Sequence, residues 1–374
     1  MSFEITSAGA GLNVPDQPVS DNAGPGHSDF APSCPVPFAE HKKIVLAHGS
    51  GGKMTHRLIQ QEILPQFRNE HLELLHDGAI VTVNGSKLAF TTDSYVVKPL
   101  FFPGGDIGTL AINGTVNDLA MCGAKPLYLS AALILEEGFP MDQFRRIMRS
   151  MRAAADAAEV ELVTGDTKVV DRGKGDQIFI NTSGIGSIHP RADIRAARVG
   201  AGDKIILNGP IAAHGIAIMS VREGLEFEAE IESDTAPLND LVETLLDAGH
   251  DIHVLRDPTR GGLASSLNEI AEQAKVCIRL DEAKIPVDEA AKAGCEILGF
   301  DPLYVANEGK MLAVVPAEQA EAVLGTMRNH PAGREAVIIG EAINGSPCLV
   351  TMRTGVGGTR VVDMLSGEQL PRIC

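Results

Sequence analysis

From residue 44 onward the chain alternates β-rich runs with amphipathic helical ones, and it does so twice over. This pattern confines it to layered α/β folds. In the first pass, Ile44–His48 reads as a short strand, a glycine-rich turn follows, and a helix is expected from Met54 to about Phe67. Lys87–Val97, Leu162–Val170 and Ile178–Ile188 are rich in β-branched residues, and Met141–Glu159 carries Phe144, Ile147, Met148 and Met151 at helical spacing. The charged, aperiodic stretch Arg191–Gly202 marks a boundary. Beyond it, Leu238, Leu241, Leu245 and Leu246 mark one amphipathic helix, and Leu263, Leu267, Ile270, Ala271 and Ala274 another. Strands are expected at Lys204–Leu207, Val276–Leu280, Met311–Val315 and Val337–Gly340. A length of 374 residues also suits two cores better than one. The division reads as an extension over 1–40, an N-terminal domain over 41–195, a C-terminal domain over 196–363 and a mobile tail over 364–374.

Charge narrows the partners. With 32 Lys+Arg against 49 Asp+Glu, the net charge of −17 gives no footprint for a nucleic-acid backbone or an anionic membrane. An anionic substrate would need a metal or a local cationic loop. Residues 1–40 hold five acidic residues, six prolines and no Lys or Arg, which excludes a secretory or Arg-rich leader and reads as disordered. The longest apolar stretch, around Leu127–Leu135, is too short to span a bilayer. The six cysteines, at 34, 122, 277, 295, 348 and 374, form no C-x-x-C pair, so neither a zinc cluster nor a disulfide framework is expected. A reducing, cytoplasmic setting follows.

Two loops could cradle an anion. His48-Gly49-Ser50-Gly51-Gly52-Lys53 lacks the Walker A pattern, yet its glycines, the following helix and Lys53 could hold a phosphate; a plain tight turn is the alternative. Asp257-Pro258-Thr259-Arg260-Gly261-Gly262 repeats the arrangement, again with glycines and a cation before a helix. Two cradles in an acidic chain suggest a polyphosphate. Between them, the helix Asp106–Met121 places Asn113, Asn117 and Asp118 among apolar positions. They either face solvent or have buried partners. Asp118, with Asp93 and Asp166, could supply oxygen ligands to Mg²⁺. Asp93 and Asp166 share the pattern D-[ST]-x-V-V, an echo that β-rich composition alone could also produce.

Two further positions stand out. Glu308, in Asn307-Glu308-Gly309-Lys310, reads as a solvated turn residue unless the fold places it in a cleft. Cys374 is the last residue, where a thiol could enter a pocket and be modified; prenylation is excluded because that signal needs cysteine fourth from the end.

Taken together, HGSGGK at 48–53, TTDSYVV at 91–97, FFPGGDIG at 101–108, NGTVNDLAMCGAKP at 113–126, TGDTKVV at 164–170, DPTRGG at 257–262, NEGK at 307–310 and PRIC at 371–374 resemble the HypE family of hydrogenase maturation factors. That family belongs to a wider group of ATP-using enzymes related to aminoimidazole ribonucleotide synthetase. The resemblance covers residues 44–374, and Pro258 stands where an alanine is common. It implies a two-domain α/β (α+β) PurM-like fold, with an N-terminal domain that builds a dimeric β-barrel, a C-terminal α/β domain and a flexible tail. It also implies ATP and Mg²⁺ as cofactors, with Asp93, Asp118 and Asp166 on metal and phosphates. Gly51, Gly52, Asn117, Thr167, Asp257, Arg260, Gly261 and Gly262 would line the nucleotide site, and Lys53 would close over it. The implied reaction is ATP-dependent dehydration of a carbamoylated Cys374 to a thiocyanate, with Glu308 as base and Lys168 as an alternative proton handler. HypF would donate the carbamoyl group and the HypC–HypD complex would accept the cyanide for a nickel–iron hydrogenase. A selenophosphate synthetase-like enzyme, a small-molecule kinase of the same fold and a non-catalytic scaffold are the competing readings. Selenophosphate synthetases typically carry a Cys or selenocysteine in the N-terminal loop, and none of the six cysteines lies between 34 and 122.

Overall fold

The computed structural model describes residues 43–225, 230–345, 349–367, 370 and 372–374. The expected disorder of 1–40 lies outside these residues, as do Cys34 and Cys348. The expected strand at Ile44–His48 is a 3₁₀ turn, Leu46–Gly49. Among the described residues no strand pairs with it, and the turn closes instead through His48 N–H to Val45 O (3.0 Å) and Ser50 Oγ to Ala47 O (2.9 Å). The helix that follows comes as α1 (Lys53–Leu58), a π turn (Ile59–Ile63) and α2 (Leu64–Phe67).

The first sheet and its helices then form from β1 (Ala79–Val83), β2 (Ser86–Tyr95), the short pair β3 (Phe101–Phe102) and β4 (Gly105–Asp106), α3 (Ile107–Met121), β5 (Ala124–Glu136), α4 (Met141–Ala157), β6 (Glu161–Val170) and β7 (Ile178–Ile188). The sheet order is β1-β2-β7-β5-β6, antiparallel throughout except for the β5–β6 pair. Its inner face packs on α3, which is buried along almost its whole length and therefore shows no polar stripe. Asp106 caps α3 by accepting from Gly108 N–H (2.8 Å) and Thr109 N–H (3.1 Å), and it also accepts from Ser150 Oγ of α4. Gly108 lets the two helices close up, since a Cβ there would sit 2.7 Å from Ile147 O.

The second half contributes β8 (Lys204–Leu207), α5 (Ala213–Glu223), α6 (Asn239–Asp247), β9 (Val254–Arg256), α7 (Gly262–Ala274), β10 (Cys277–Asp281), α8 (Glu289–Leu298), β11 (Leu312–Val315), α9 (Ala320–Asn329), β12 (Val337–Ile343), β13 (Leu349–Arg353) and β14 (Thr359–Val361). These strands make a seven-stranded sheet in the order β14-β13-β10-β12-β8-β11-β9. One face carries the core of α7, including Leu263, Leu267 and Ile270, and the other that of α6 and α9, including Leu241, Leu245, Val323 and Met327. The fold is therefore the expected two-sheet α/β arrangement. Among the described residues, no helix is long and apolar enough to cross a membrane, and Cys122, Cys295 and Cys374 carry free thiols.

Candidate active site

The site lies where the C-terminal end of α3 meets the loops after β9 and before β11. Asn113 and Asn117, one turn apart on α3, are both buried, which excludes the solvent-facing alternative. Asn117 satisfies all its groups across the sheets: its Nδ2 donates to Ala236 O (3.1 Å) and Glu308 O (3.2 Å), and its Oδ1 accepts from Leu238 N–H (2.8 Å). Asn113 Nδ2 donates to Thr235 Oγ1 at 3.3 Å. These bonds fix the segment 233–238 against α3 and with it the backbone of Glu308.

Asp118, the next residue on α3, accepts from Thr91 Oγ1 at 2.8 Å and faces two other carboxylates. Oxygens of Asp77, Asp118 and Asp257 lie within 4.8 Å of one another. Asp77 pairs with the guanidinium of Arg256 through one oxygen, and its buried Oδ2 has no hydrogen-bond partner. Arg256 also holds Glu269 at 2.5 Å. Burial first, and then the neighbouring negative charge, pushes these carboxyls up: Asp77 to about 6, Asp257 to about 7, and Asp118 well above the usual range. Arg256 opposes the rise at Asp77 and Asp257. A crowded, dehydrated, all-oxygen cluster with an unsatisfied oxygen suits a hard divalent cation, so the residues present fit Mg²⁺.

Glu308 is buried, its Oε1 lacks a partner, and burial together with Asp257, Asp93 and Asp234 holds its carboxyl well above the usual range. It is no solvated turn residue: Glu308 N–H donates to Asp234 Oδ1 (3.0 Å), and Gly309 admits the chain so closely that a Cβ would sit 1.9 Å from Asp234 O. Asp93, on the inner face of β2, adds its charge to both groups.

The terminal residues enter this cleft. Val96 N–H donates to Cys374 O (3.0 Å) and Lys98 N–H to Arg372 O (3.1 Å), so the last residues run alongside the exit of β2. Ile373 is 3% exposed and joins the first core. The Cys374 thiol faces Arg260, with Glu308, Asp93 and Asp257 nearby; burial is the main force raising its pKa, and Arg260 is the counterweight. In this structure the end of the tail is therefore docked beside β2 and the Arg260 loop. Ile373 gains a buried apolar seat, and the backbone of Arg372–Cys374 finds hydrogen-bond partners that a free tail would lack.

The glycine loops serve this arrangement differently from expectation. The loop at 48–53 packs on the loop at 257–262: Arg260 donates to Gly49 O at 3.1 Å, and a Cβ on Gly51 would lie 2.6 Å from Arg260 O. Gly261 and Gly262 both take positive φ, at 80° and 62°, before α7. Gly52 and Lys53 meet the stem of the tail rather than the acidic cluster. A Cβ on Gly52 would sit 2.3 Å from Leu365 O. Lys53 N–H donates to that same Leu365 oxygen (2.9 Å), while the Lys53 ammonium pairs with Asp363. Lys53 therefore does not close over the cluster in this structure, because Asp363 holds it.

Asp166, Thr167 and Lys168 are not brought to the cluster within one chain. They lie exposed on the edge strand β6, where Lys168 Nζ binds Asp166 Oδ1 at 2.6 Å. In register, Asp166 aligns with Ala132, Asn181 and Ser94 across β5, β7 and β2. Three strand spacings separate it from β2, roughly 14 Å. Asp166 and Thr167 border a separate cavity of about 670 Å³ between α4 and β6. The sequence reading missed Asp77, Asp234 and Arg256. The only local signal for Asp77 was a His-Asp-Gly turn ahead of a β-branched run.

Fold and site together define a class. Residues 75–188 match the AIR synthase related protein N-terminal domain and 200–350 the corresponding C-terminal domain. Within it, the chain is 54% identical over 333 residues to the carbamoyl dehydratase HypE of Cupriavidus necator, spanning 89% of this chain and 95% of that one. A HypE structure in complex with ATP superposes with a TM-score of 0.75 at 49% identity, covering 89% and 100% of the two chains. One from a HypE–HypF complex gives 0.78 at 48%, covering 82% and 99%. The chain belongs to the HypE family of carbamoyl dehydratases.

Proposed function

We propose that this chain uses ATP to dehydrate its own S-carbamoylated Cys374, with the residues around the docked terminus as the machinery. The observation that carries the reading is the docking of the terminal residue beside the exit of β2, Val96 N–H donating to Cys374 O at 3.0 Å, which leaves its half-buried thiol under the influence of Arg260 and of the Glu308, Asp93 and Asp257 acids. A thiocarbamate oxygen is a poor leaving group. Transfer of the γ-phosphoryl group to it breaks the bond to ADP and forms a carbamoyl O–P bond. Loss of both N–H protons, one as the O-phosphorylated imidate forms and one as phosphate departs, then leaves S–C≡N, with ADP and phosphate as the other products. Arg260 offsets negative charge beside the sulfur, and Glu308 takes the N–H proton that leaves with phosphate, the first being released as the imidate forms. Asp77, Asp118 and Asp257 would hold Mg²⁺, with Asp93 beside them, and the ion would screen the nucleotide phosphates during transfer.

The nucleotide would draw Asp166, Thr167 and Lys168 from a second copy, since β6 lies too far from β2 within one chain. A homodimer is supported by the outer face of the first sheet, where Phe90, Ile185 and Tyr128 form an exposed row in register across β2, β7 and β5. HypF is the proposed carbamoyl donor, in line with the HypE–HypF complex structure. HypC–HypD is the proposed cyanide acceptor, and the cytoplasm the proposed setting.

Intact mass of the carbamoylated chain with MgATP tests the reading. The adduct is expected to lose one water in the wild type. Glu308→Gln is expected to consume ATP and keep the water. An unchanged adduct mass in the wild type refutes the dehydratase assignment, and full activity in the variant removes Glu308 from it.

A further inference from the structure

His214 is a buried titratable group that the chemistry above leaves without a task. It sits in the first turn of α5, its ring edge-to-face with Phe102 at 5.6 Å and 86°. Its Nε2 lies 2.9 Å from Ile373 O and its Nδ1 2.7 Å from Ser233 Oγ. The tautomer follows from the partners. A carbonyl only accepts, so Nε2 carries the hydrogen and donates it to Ile373 O. Nδ1 is then the acceptor for the Ser233 hydroxyl, whose oxygen accepts in turn from Thr235 N–H at 3.2 Å. Burial disfavours the imidazolium and keeps the ring in this neutral form.

Both supports of this ring are tied to Glu308. Ser233 precedes Asp234, which receives Glu308 N–H. The start of α5 is pinned by Ala212 N–H donating to Asn307 Oδ1 at 2.8 Å, one residue before Glu308. The carbonyl that His214 grips belongs to the residue just before Cys374.

We propose that His214 is a positioning residue for the reaction at Cys374: its Nε2–H, oriented by Ser233, seats the Ile373 carbonyl and so sets the thiol in register with Glu308 and Arg260. The hydrogen bonds of His214 go to Ser233 and to the Ile373 carbonyl, so it acts through the peptide next to the reacting residue. The consequence for catalysis rests on the dehydratase reading above, whereas the seating of the tail does not.

The experiment uses the full-length, uncarbamoylated chain and reads iodoacetamide labelling of Cys374 by mass spectrometry of the C-terminal peptide, with buried Cys122 and Cys295 as internal controls for global opening. His214→Phe keeps an aromatic ring but removes the donor. Cys374 labelling is expected to rise about tenfold, the scale set by a lost hydrogen bond to a buried carbonyl. His214→Gln restores a donor and is expected to label within about threefold of wild type by the same scale. Labelling of the Phe variant at the wild-type rate, or of Gln as fast as Phe, overturns the proposal. Should the Phe variant fail to fold, Ser233→Ala carries the test: it leaves the ring in place but frees its tautomer, and labelling unchanged from wild type overturns the proposal. In single-turnover dehydration, His214→Phe is expected to slow the chemical step while leaving the half-saturating ATP concentration unchanged. An equal loss in both would mean general damage to the site and count against positioning.

Discussion

Replacing Asp118 by Asn should stabilise the ligand-free protein, by an amount that grows with pH. In the folded chain Asp118 is half-buried and faces Asp257, Asp93 and Asp77, and desolvation and their charge hold its carboxyl well above its ordinary value of 3.8. An unfolded chain releases that proton near 3.9. Between those two values the folded state binds more protons than the unfolded one, so this group removes stability as pH rises, at up to ~1.4 kcal/mol per pH unit. Asparagine has no such proton and can still accept from Thr91 Oγ1. From pH 5 to pH 7 the variant should therefore gain up to ~2.7 kcal/mol on the wild type, and about half that if water reaches the cluster. His76, held at about 4 by burial and by Arg256, acts in the opposite sense, withdrawing stability as pH falls below its ordinary 6.5. Both proteins share it, so it cancels in the difference. Urea unfolding in EDTA at pH 5 and pH 7 measures the quantity directly. Added Mg²⁺ should shrink or reverse the gain, because Asn is the poorer ligand. A stability difference that is the same at both pH values in EDTA would refute the argument that Asp118 is a half-buried acid crowded by like charge.

Two other outcomes follow from the packing. Asn117→Ala removes the three buried hydrogen bonds that join α3 to the segment 236–238 and to Glu308, and leaves Ala236 O, Glu308 O and Leu238 N–H short of partners. It should cost roughly 2–4 kcal/mol in urea unfolding, and activity should fall further than stability does because Glu308 loses its seat. Ile185→Glu places a charge at the centre of the exposed Phe90–Ile185–Tyr128 row; sedimentation should show a monomer, and a dimer that survives the change would mean that another surface joins the copies.

Much of the fold could be read from periodicity. β2, β7, β8, α4, α6 and α7 fall within a few residues of where alternation and helical spacing put them, since each buries side chains against a neighbour of its own domain, and the exposed edge strand β6 falls where its β-branched run put it. The error at Ile44–His48 has a physical origin. β-branched residues make a strand only where an edge is available to pair with, and Ile44, 73% exposed, pairs with no strand among the described residues. The helix α3 shows the opposite limit. It is buried all round, so its amphipathic signal disappears, and the polar residues that looked like a solvent face are the ones that bridge the two sheets.

The site was legible only in parts, and the parts differ in kind. Asp118, Asp257, Arg260 and Glu308 could be named because glycines or asparagines flank them in short, ordered motifs. Asp77 could not, because its role depends on Arg256 reaching across from β9, and no local pattern encodes a contact between residues 179 positions apart. Asp166 and Lys168 were named by motif, yet one chain leaves them at the far edge of the sheet. Both are consistent with a site completed by a second copy: a single-chain fold can display a residue, but the distance it must cover to act is a property of the assembly. The terminus is the case where burial overrides composition. MLSGEQLPRIC reads as a free tail because it has no period, while Ile373 finds a core position and Arg372 pairs with Asp176. Cys374 thereby reaches the acidic cluster as part of the folded structure. A substrate thiol held this way meets its reagents at a high effective concentration set by the chain itself, so the catalytic problem shifts from capturing the thiol to releasing it again.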